Sequence, residues 1–141
     1  MKEKYGFLES EEPFERTYRT MSNLDDIHEN GIHDYMKWVK FGYGRATDHT
    51  SKDIRLGHIS RDRAILEVLK RDHIKSNDLE RWLEYVGWSE NEFDSVADSF
   101  RDPNVWWIKN NQWVKLDIDG VERSYGHINI SNHLKEFFYI E

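Results

Sequence analysis

A short segment between two glycines carries most of the side chains that could take part in binding. Its charged residues and histidine recur every three or four positions, so on a helix they would lie along one face: Arg45, Asp48, His49, Lys52 and Arg55. Cations on such a face can hold an anionic group, and a neighbouring carboxylate can orient a hydroxyl. Because the segment has few apolar residues, the face either lines a site or is a solvated surface whose ion pairs contribute about 0–1 kcal/mol.

Residues before this segment extend the candidate site. Lys40 precedes the Gly-Tyr-Gly sequence at 42–44, which is too short to indicate a phosphate loop and is more typical of a turn between helices. Asn23, Asp25 and Asp26 add polar side chains further upstream, where Asn23 and Asp25 could also cap a helix. We therefore include these four residues among the candidate ligand contacts.

The charge distribution favours an anionic ligand. Residues 37–75 carry ten Lys or Arg against five Asp or Glu, whereas both flanks are acidic and the whole chain has a net charge of -7. A basic island of this kind can attract an anion such as a nucleotide sugar, or it can be a helical surface that faces an acidic neighbour. The negative overall charge argues against nucleic-acid binding.

Several classes of chemistry have no support in the sequence. The chain has no Walker-type phosphate loop, no dinucleotide-binding fingerprint and no serine nucleophile elbow. It also has no cysteine, and its seven histidines lack the spacing of a helical zinc pair, so we expect no metal site. No apolar run is long enough to span a bilayer and the first residues do not resemble a signal peptide, so we expect a soluble, cytoplasmic protein without a membrane span.

The elements that must position these residues are mainly helical. We predict an irregular lead-in or linker over residues 1–22, a helical domain over 23–103 and a β-hairpin over 104–118, with 119–141 as an unplaced C-terminal tail. The fold class is mainly α: a compact bundle of about five helices with a short C-terminal β-hairpin packed on it. The hairpin prediction depends on Asn110 and Asn111, which tolerate the positive φ of a tight turn.

Helix boundaries follow from caps and apolar periodicity. Gly31 disfavours a helix running through that point, and an apolar stripe after it ends near Phe41. Ser60, Ser76 and Ser89 are expected to cap three further helices, and Ser89 has Glu92 three residues later, as in a capping box.

Five stretches of the chain form a distinctive pattern: residues 17–26 (TYRTMSNLDD), 33–49 (HDYMKWVKFGYGRATDH), 53–61 (DIRLGHISR), 83–90 (LEYVGWSE) and 98–101 (DSFR). Together they resemble the C-terminal region of N-acetyl sugar amidotransferases of surface-polysaccharide and flagellin-glycan biosynthesis. The resemblance covers roughly residues 17–113 and fades after Lys115.

This resemblance implies an ATP-dependent reaction of lipopolysaccharide-type pathways. Such enzymes use an ATP-pyrophosphatase-type domain to activate the acetamido carbonyl of a nucleotide sugar, and ammonia from a glutaminase partner then yields an acetamidino group. From their position in these stretches and their charge, we expect Lys40, Arg45, Lys52 and Arg55 to contact anionic groups. Asp48 and His49 would hydrogen-bond the sugar or orient Arg45, and Asn23, Asp25 and Asp26 would form a neighbouring wall.

The chain departs from that family in one respect that matters for activity. It has neither the Ser-Gly-Gly-containing ATP loop nor the paired cysteines that family members place before this region. We therefore expect ATP to be bound mainly by an N-terminal half or subunit. We also expect this truncated part to be inactive alone, whether it is a domain, a split-gene product or a remnant. The alternative hypothesis is a helical interaction module that docks a separate ATP-binding subunit without catalysis of its own.

Overall fold

A computed structural model describes residues 2–6, 8–21 and 30–139. The helices are α1 (Lys2–Tyr5), α2 (Asn30–Phe41), α3 (Arg45–Arg55), α4 (Arg61–Arg71), α5 (Leu79–Val86), α6 (Glu90–Ser99) and α7 (Asn132–Lys135), followed by a 3-10 turn at Glu136–Phe138. The strands are β1 (Trp106–Lys109), β2 (Gln112–Leu116) and β3 (Glu122–His127). The fold is thus mainly α with a short C-terminal sheet, which confirms the predicted class. None of the helices in the described ranges has the length and apolar character needed to cross a membrane.

Helix α2 confirms the predicted apolar stripe but corrects the expectation at Gly31. Tyr35 and Val39 are buried, and the helix ends at Phe41 before Gly42, whose φ is +75°. Gly31 lies inside the first turn of α2 rather than outside the helix. A Cβ at this position would overlap the side chains of Ser76 and Glu15, so the glycine permits a close approach and does not break the helix.

Two of the three predicted serine caps are confirmed. The Ser60 side chain accepts from Arg63 N–H at the start of α4, and Ser89 forms the capping box with Glu92 at the start of α6. The prediction for Ser76 was wrong, because α5 begins later, with Asp78 at its N-cap. Ser76 instead accepts from the backbone N–H of Asp78 at 3.1 Å, in the turn before the helix.

The predicted hairpin forms and is extended by a third strand. Asn110 and Asn111 have φ values of 51° and 57°, and the antiparallel register pairs Ile108 with Trp113. Strand β3 then pairs with the other edge of β2, in the order β1-β2-β3. Local sequence near β3 did not indicate this strand, because its few apolar residues do not alternate clearly.

The core lies between the helices and the sheet. Trp106 and Trp113 are 0% exposed, and their rings flank the guanidinium of Arg101, whose central carbon is 4.1 and 4.8 Å from the two ring centroids. Trp107 points to the opposite side of β1 and is only half-buried, because successive side chains of a strand alternate between its two faces. Residues beyond 118 complete the core through Ile130 and Phe138.

Candidate functional site

The start of α3 is held by a carboxylate from another helix. Asp72, at the C-cap of α4, accepts from the backbone N–H of Gly44 at 2.8 Å and of Ala46 at 2.9 Å, and from the Thr47 hydroxyl at 2.6 Å. Gly44 is the N-cap residue of α3 and has no side chain to cap it. Asp72 supplies both the missing acceptor and a negative charge at the positive end of the helix dipole. A polar helix with little apolar surface is stabilised in this way.

Gly44 is required by the closeness of this contact. A Cβ at Gly44 would lie 2.8 Å from Asp72 Oδ1 and 3.3 Å from Arg16 Nη2, both inside normal van der Waals distance. The backbone of Gly44 is extended, with φ −126°, so its conformation is open to any residue. The Gly-bracketed turn at residues 42–44 therefore fits a tight helix–helix junction.

Two of the predicted contact residues on α3 form ion pairs with residues of α2. Arg45 forms an ion pair with Asp34 of α2, in which the side chains are 14% and 8% exposed. Asp48 forms an ion pair with Lys37, whose Nζ also lies 4.6 Å from the centroid of the Tyr43 ring. The arrangement cross-links α2 to α3 and neutralises Arg45 and Asp48.

His49 contacts the lead-in segment. Its Nδ1 lies 2.6 Å from Thr17 Oγ1. Burial lowers the pKa of His49 from 6.5 to about 4, and the positive charges of Arg19, Arg45 and Lys52 act in the same direction. The imidazole is therefore neutral near pH 7 and can act as a hydrogen-bond partner rather than as a cation.

The lead-in segment packs along α3 through a second carboxylate. Arg19 Nη2 lies 2.6 Å from Asp53 Oδ1, and the Tyr18 hydroxyl donates to Asp53 Oδ2. Burial would raise the pKa of Asp53, but the hydrogen bonds from Arg19 and Tyr18 hold it below its usual value. Burial and the bond to Asp53 raise the pKa of Tyr18 to about 12. The lead-in is thus an integral part of the α3 surface.

Arg16 lies beneath this surface and joins three segments. It is 3% exposed and has a φ of 64°, and its Nη2 donates to the carbonyl oxygens of Asp72 and Asp34. Its Nε and Nη1 have no hydrogen-bond partner among the residues that the structure describes. Burial lowers the pKa of Arg16, and the carboxylates of Asp72 and Asp34 offset this only in part. Because an arginine side chain stays protonated in proteins, the guanidinium is a charged link between the lead-in, α2 and α4.

The remaining candidates are dispersed. Lys52 and Arg55 are exposed on the second half of α3, where Arg55 Nε donates to the carbonyl of Ser51 at 3.0 Å. Lys40 lies elsewhere, on α2, with its Nζ 5.4 and 5.6 Å from the ring centroids of Phe41 and Phe100. Asn23, Asp25 and Asp26 are outside the described residues. The structure therefore does not bring Lys40 to the α3 face, and it leaves Lys52 and Arg55 as the outward cations of that face.

Sequence reasoning missed the residues that organise this face. They are Arg16, Thr17, Tyr18, Arg19, Asp34, Asp53 and Asp72. Five of the seven lie within stretches that carry the family resemblance, which was the available signal. Arg16 and Asp72 had none. Within the described ranges, no group of three His, Asp or Glu side chains could hold a metal ion.

Comparison with known protein families identifies a match over most of the chain. A family model described as "LPS biosynthesis protein WbpG-like, C-terminal domain" matches residues 5–117. The matched range contains most of the lead-in, α2 to α6 and the β1-β2 hairpin, and it ends before β3. No curated protein matches the chain.

Proposed function

The chain belongs to the family of WbpG-like C-terminal domains of LPS biosynthesis proteins, and on that premise we propose that it is the C-terminal domain of an ATP-dependent N-acetyl sugar amidotransferase. The observation that carries the proposal is the range of the family match, which includes most of the lead-in and all of α3, the two segments that form the polar surface.

The proposed reaction converts the acetamido group of a nucleotide sugar into an acetamidino group. An amide carbonyl is a poor electrophile, so its oxygen first attacks the α-phosphorus of ATP and releases pyrophosphate. Ammonia then adds to the activated carbon, and AMP leaves with the former carbonyl oxygen. An ATP-binding half or subunit binds the nucleotide, a glutaminase partner supplies ammonia, and the reaction takes place in the cytoplasm. The role of the present chain is to bind substrate.

The α3 surface suits this role through its two kinds of polar residue. Lys52 and Arg55 project into solvent and can approach the diphosphate of a nucleotide sugar. Arg45, Asp48 and His49 are held by Asp34, Lys37 and Thr17, so they shape and neutralise the surface on which the ligand lies. Asn23, Asp25 and Asp26 remain a proposed wall of the same site.

Binding of UDP-N-acetylglucosamine by the chain tests this assignment. The variant Lys52→Ala/Arg55→Ala removes both outward cations from α3. The matched control Arg63→Ala/Lys70→Ala removes two exposed cations from α4 and gives the same net charge. In ligand-observed NMR we expect the α3 variant to weaken binding about tenfold or more and the control to change it little. Equal effects of the two variants, or no binding by the folded wild-type chain, would contradict the proposal.

A second candidate function rests on the surroundings of Lys40. Phe41 and Phe100 are 50% and 53% exposed, and together with Lys40 they form an aromatic surface separate from the α3 face. Exposed apolar patches mark protein interfaces, so this surface could dock a separate ATP-binding subunit. Sedimentation of the chain mixed with such a subunit distinguishes the two functions. The docking function requires a complex that Phe41→Ser/Phe100→Ser abolishes and that Lys52→Ala/Arg55→Ala leaves intact.

A further inference from the structure

The turn that joins α3 to α4 is an ordered projection from the protein. Nine of the ten residues from 54 to 63 are exposed, and a Cβ added to Gly57 would meet no atom within 4 Å. The backbone of the turn is nevertheless fixed, because the N–H of His58 donates to the carbonyl of Asp53 at 2.8 Å, as at a regular helix C-terminus. Residues 52–63 are called the α3–α4 tip below.

The tip presents two aliphatic side chains to solvent. Leu56 is 65% exposed and Ile54 is 37% exposed. The N–H of Leu56 donates to the carbonyl of Lys52 at 3.1 Å, so the backbone holds this side chain on the outside of the turn. An exposed leucine at a fixed, projecting position adds nothing to the core and is available to an apolar phase outside the protein.

The aliphatic side chains of the tip are surrounded by cations. Because α4 begins soon after α3 ends, the last turn of α3 and the first turn of α4 lie at the same end of the helix pair. This end carries four exposed cations: Lys52, Arg55, Arg61 and Arg63. None of them forms an ion pair with another described residue. The tip has two carboxylates, and that of Asp53 is engaged by Arg19 at 2.6 Å, which leaves Asp62. The local charge is therefore positive.

This combination favours an anionic bilayer surface over other anionic partners. Charges separated by more than about 8 Å are screened at physiological ionic strength, so the local charge outweighs the net charge of -7. A nucleic acid backbone binds cations only and would leave Leu56 in water. An acidic protein would need a cavity that matches the projection. A bilayer interface needs no such cavity, and it accepts both cations at its headgroups and aliphatic carbons below them.

We propose that the α3–α4 tip binds the surface of an anionic lipid bilayer, with Leu56 and Ile54 entering the headgroup boundary and Arg61 and Arg63 contacting lipid phosphates. Each cation near an anionic surface raises partitioning onto it about fivefold, so four cations and two aliphatic side chains give reversible, peripheral binding. The inference goes beyond the proposed function and does not depend on it. Arg61, Arg63 and Leu56 belong to the tip and not to the proposed sugar-nucleotide contacts.

Cosedimentation of the whole chain with lipid vesicles tests the inference. We expect binding to vesicles of equal parts phosphatidylglycerol and phosphatidylcholine, weaker binding as salt is added, and none to phosphatidylcholine alone. Leu56→Ser should lower the partition coefficient about tenfold, because it removes the inserted aliphatic group and leaves the charge unchanged. The matched control is Leu116→Ser, which changes a leucine that is 58% exposed on β2 and should have little effect.

A second pair of variants tests the charges. Arg61→Ala/Arg63→Ala should lower partitioning about tenfold or more. The control Arg81→Ala/Lys109→Ala removes exposed cations from α5 and β1, gives the same net charge and should change partitioning little. Circular dichroism verifies that each variant is folded.

Three results would overturn the inference. They are no binding of the folded wild-type chain to the anionic vesicles, equal binding to phosphatidylcholine alone, and unchanged binding by Leu56→Ser. Tighter binding to a duplex DNA oligonucleotide that Leu56→Ser leaves intact would assign the tip to nucleic acid instead. Because these variants keep Lys52 and Arg55, a failure of vesicle binding leaves the proposed function standing. Loss of sugar-nucleotide binding, in turn, leaves the vesicle result unaffected.

Discussion

The carboxylate of Asp72 lies 2.8 Å from the backbone nitrogen of Gly44, so that the end of α4 caps the beginning of α3. The contact joins residues 28 positions apart and sets the angle at which the polar helix leaves the turn. Three of the paired side chains on α3 depend on that angle, because Arg45, Asp48 and His49 each reach a partner on another segment.

Asp72→Ala should lower the free energy of unfolding by roughly 2–3 kcal/mol, because it removes a buried cap and leaves two backbone N–H groups without an acceptor. Urea denaturation measures the loss. Ser60→Ala is the comparison, since it removes an exposed cap from α4 and should cost only about 1 kcal/mol. A smaller effect of Asp72→Ala than of Ser60→Ala would show that the capping contact does not hold α3.

The stability of the protein should depend on pH through His49. The pKa of His49 is about 4 in the folded chain and 6.5 without the shift that the fold causes. As the pH falls, the unfolded chain therefore binds the additional proton first. The contribution of His49 is therefore complete above pH 6.5 and is lost as the pH falls towards 4. Urea denaturation across this range should show a weaker pH dependence in His49→Gln than in the wild type. Identical slopes would mean that His49 is not buried as described.

Arg45→Ala should affect stability more than Lys52→Ala, although both remove a cation from α3. Loss of Arg45 leaves the Asp34 carboxylate buried without its ion pair, which costs roughly 3–5 kcal/mol, whereas Lys52 is exposed and should change stability by less than about 0.5 kcal/mol. Thermal denaturation of the two single variants measures the difference in stability. The double variant Arg45→Ala/Asp34→Ala should recover part of the loss, and strictly additive effects would argue against the pair.

Two ion pairs in the C-terminal half of the chain allow a direct test of burial. Arg101 and Asp98 are 3% and 5% exposed, whereas Lys109 and Glu122 are 57% and 42% exposed. Arg101→Met should cost roughly 3–5 kcal/mol because it leaves Asp98 as an uncompensated buried charge. Lys109→Met, at an exposed pair, should cost about 0–1 kcal/mol. Comparable losses in urea denaturation would contradict the placement of Arg101 in the core.

The features predicted correctly from the sequence are those encoded over a few residues. The capping box of Ser89 and Glu92 spans one helical turn, and the Asn110-Asn111 turn defines the hairpin. The role of Gly31, in contrast, depends on residues that are remote in sequence. It permits the close approach of Ser76 and Glu15, which a rule about glycine inside helices could not anticipate.

The candidate site could be predicted only in part, because sequence patterns report features that are encoded over a few residues. The sequence identified the polar face of α3, because three- and four-residue spacing is a property of one helix. It could not identify which charged groups on that face are free, since Asp34 of α2 pairs with Arg45 and Lys37 of α2 pairs with Asp48. The association of Lys40 with Phe41 and Phe100 likewise depends on the packing of α2 against residues that follow α6.

By itself, the sequence determined the class of fold, most helix boundaries, the hairpin and the family resemblance, because periodicity, caps and turn residues act over short distances along the chain. Only the tertiary structure decided the partners of the charged side chains and the pairing of the third strand. Arg19 meets Asp53 across 34 residues and Arg16 meets Asp72 across 56. Such pairs form only when the whole chain is folded, because their geometry depends on how several elements pack together.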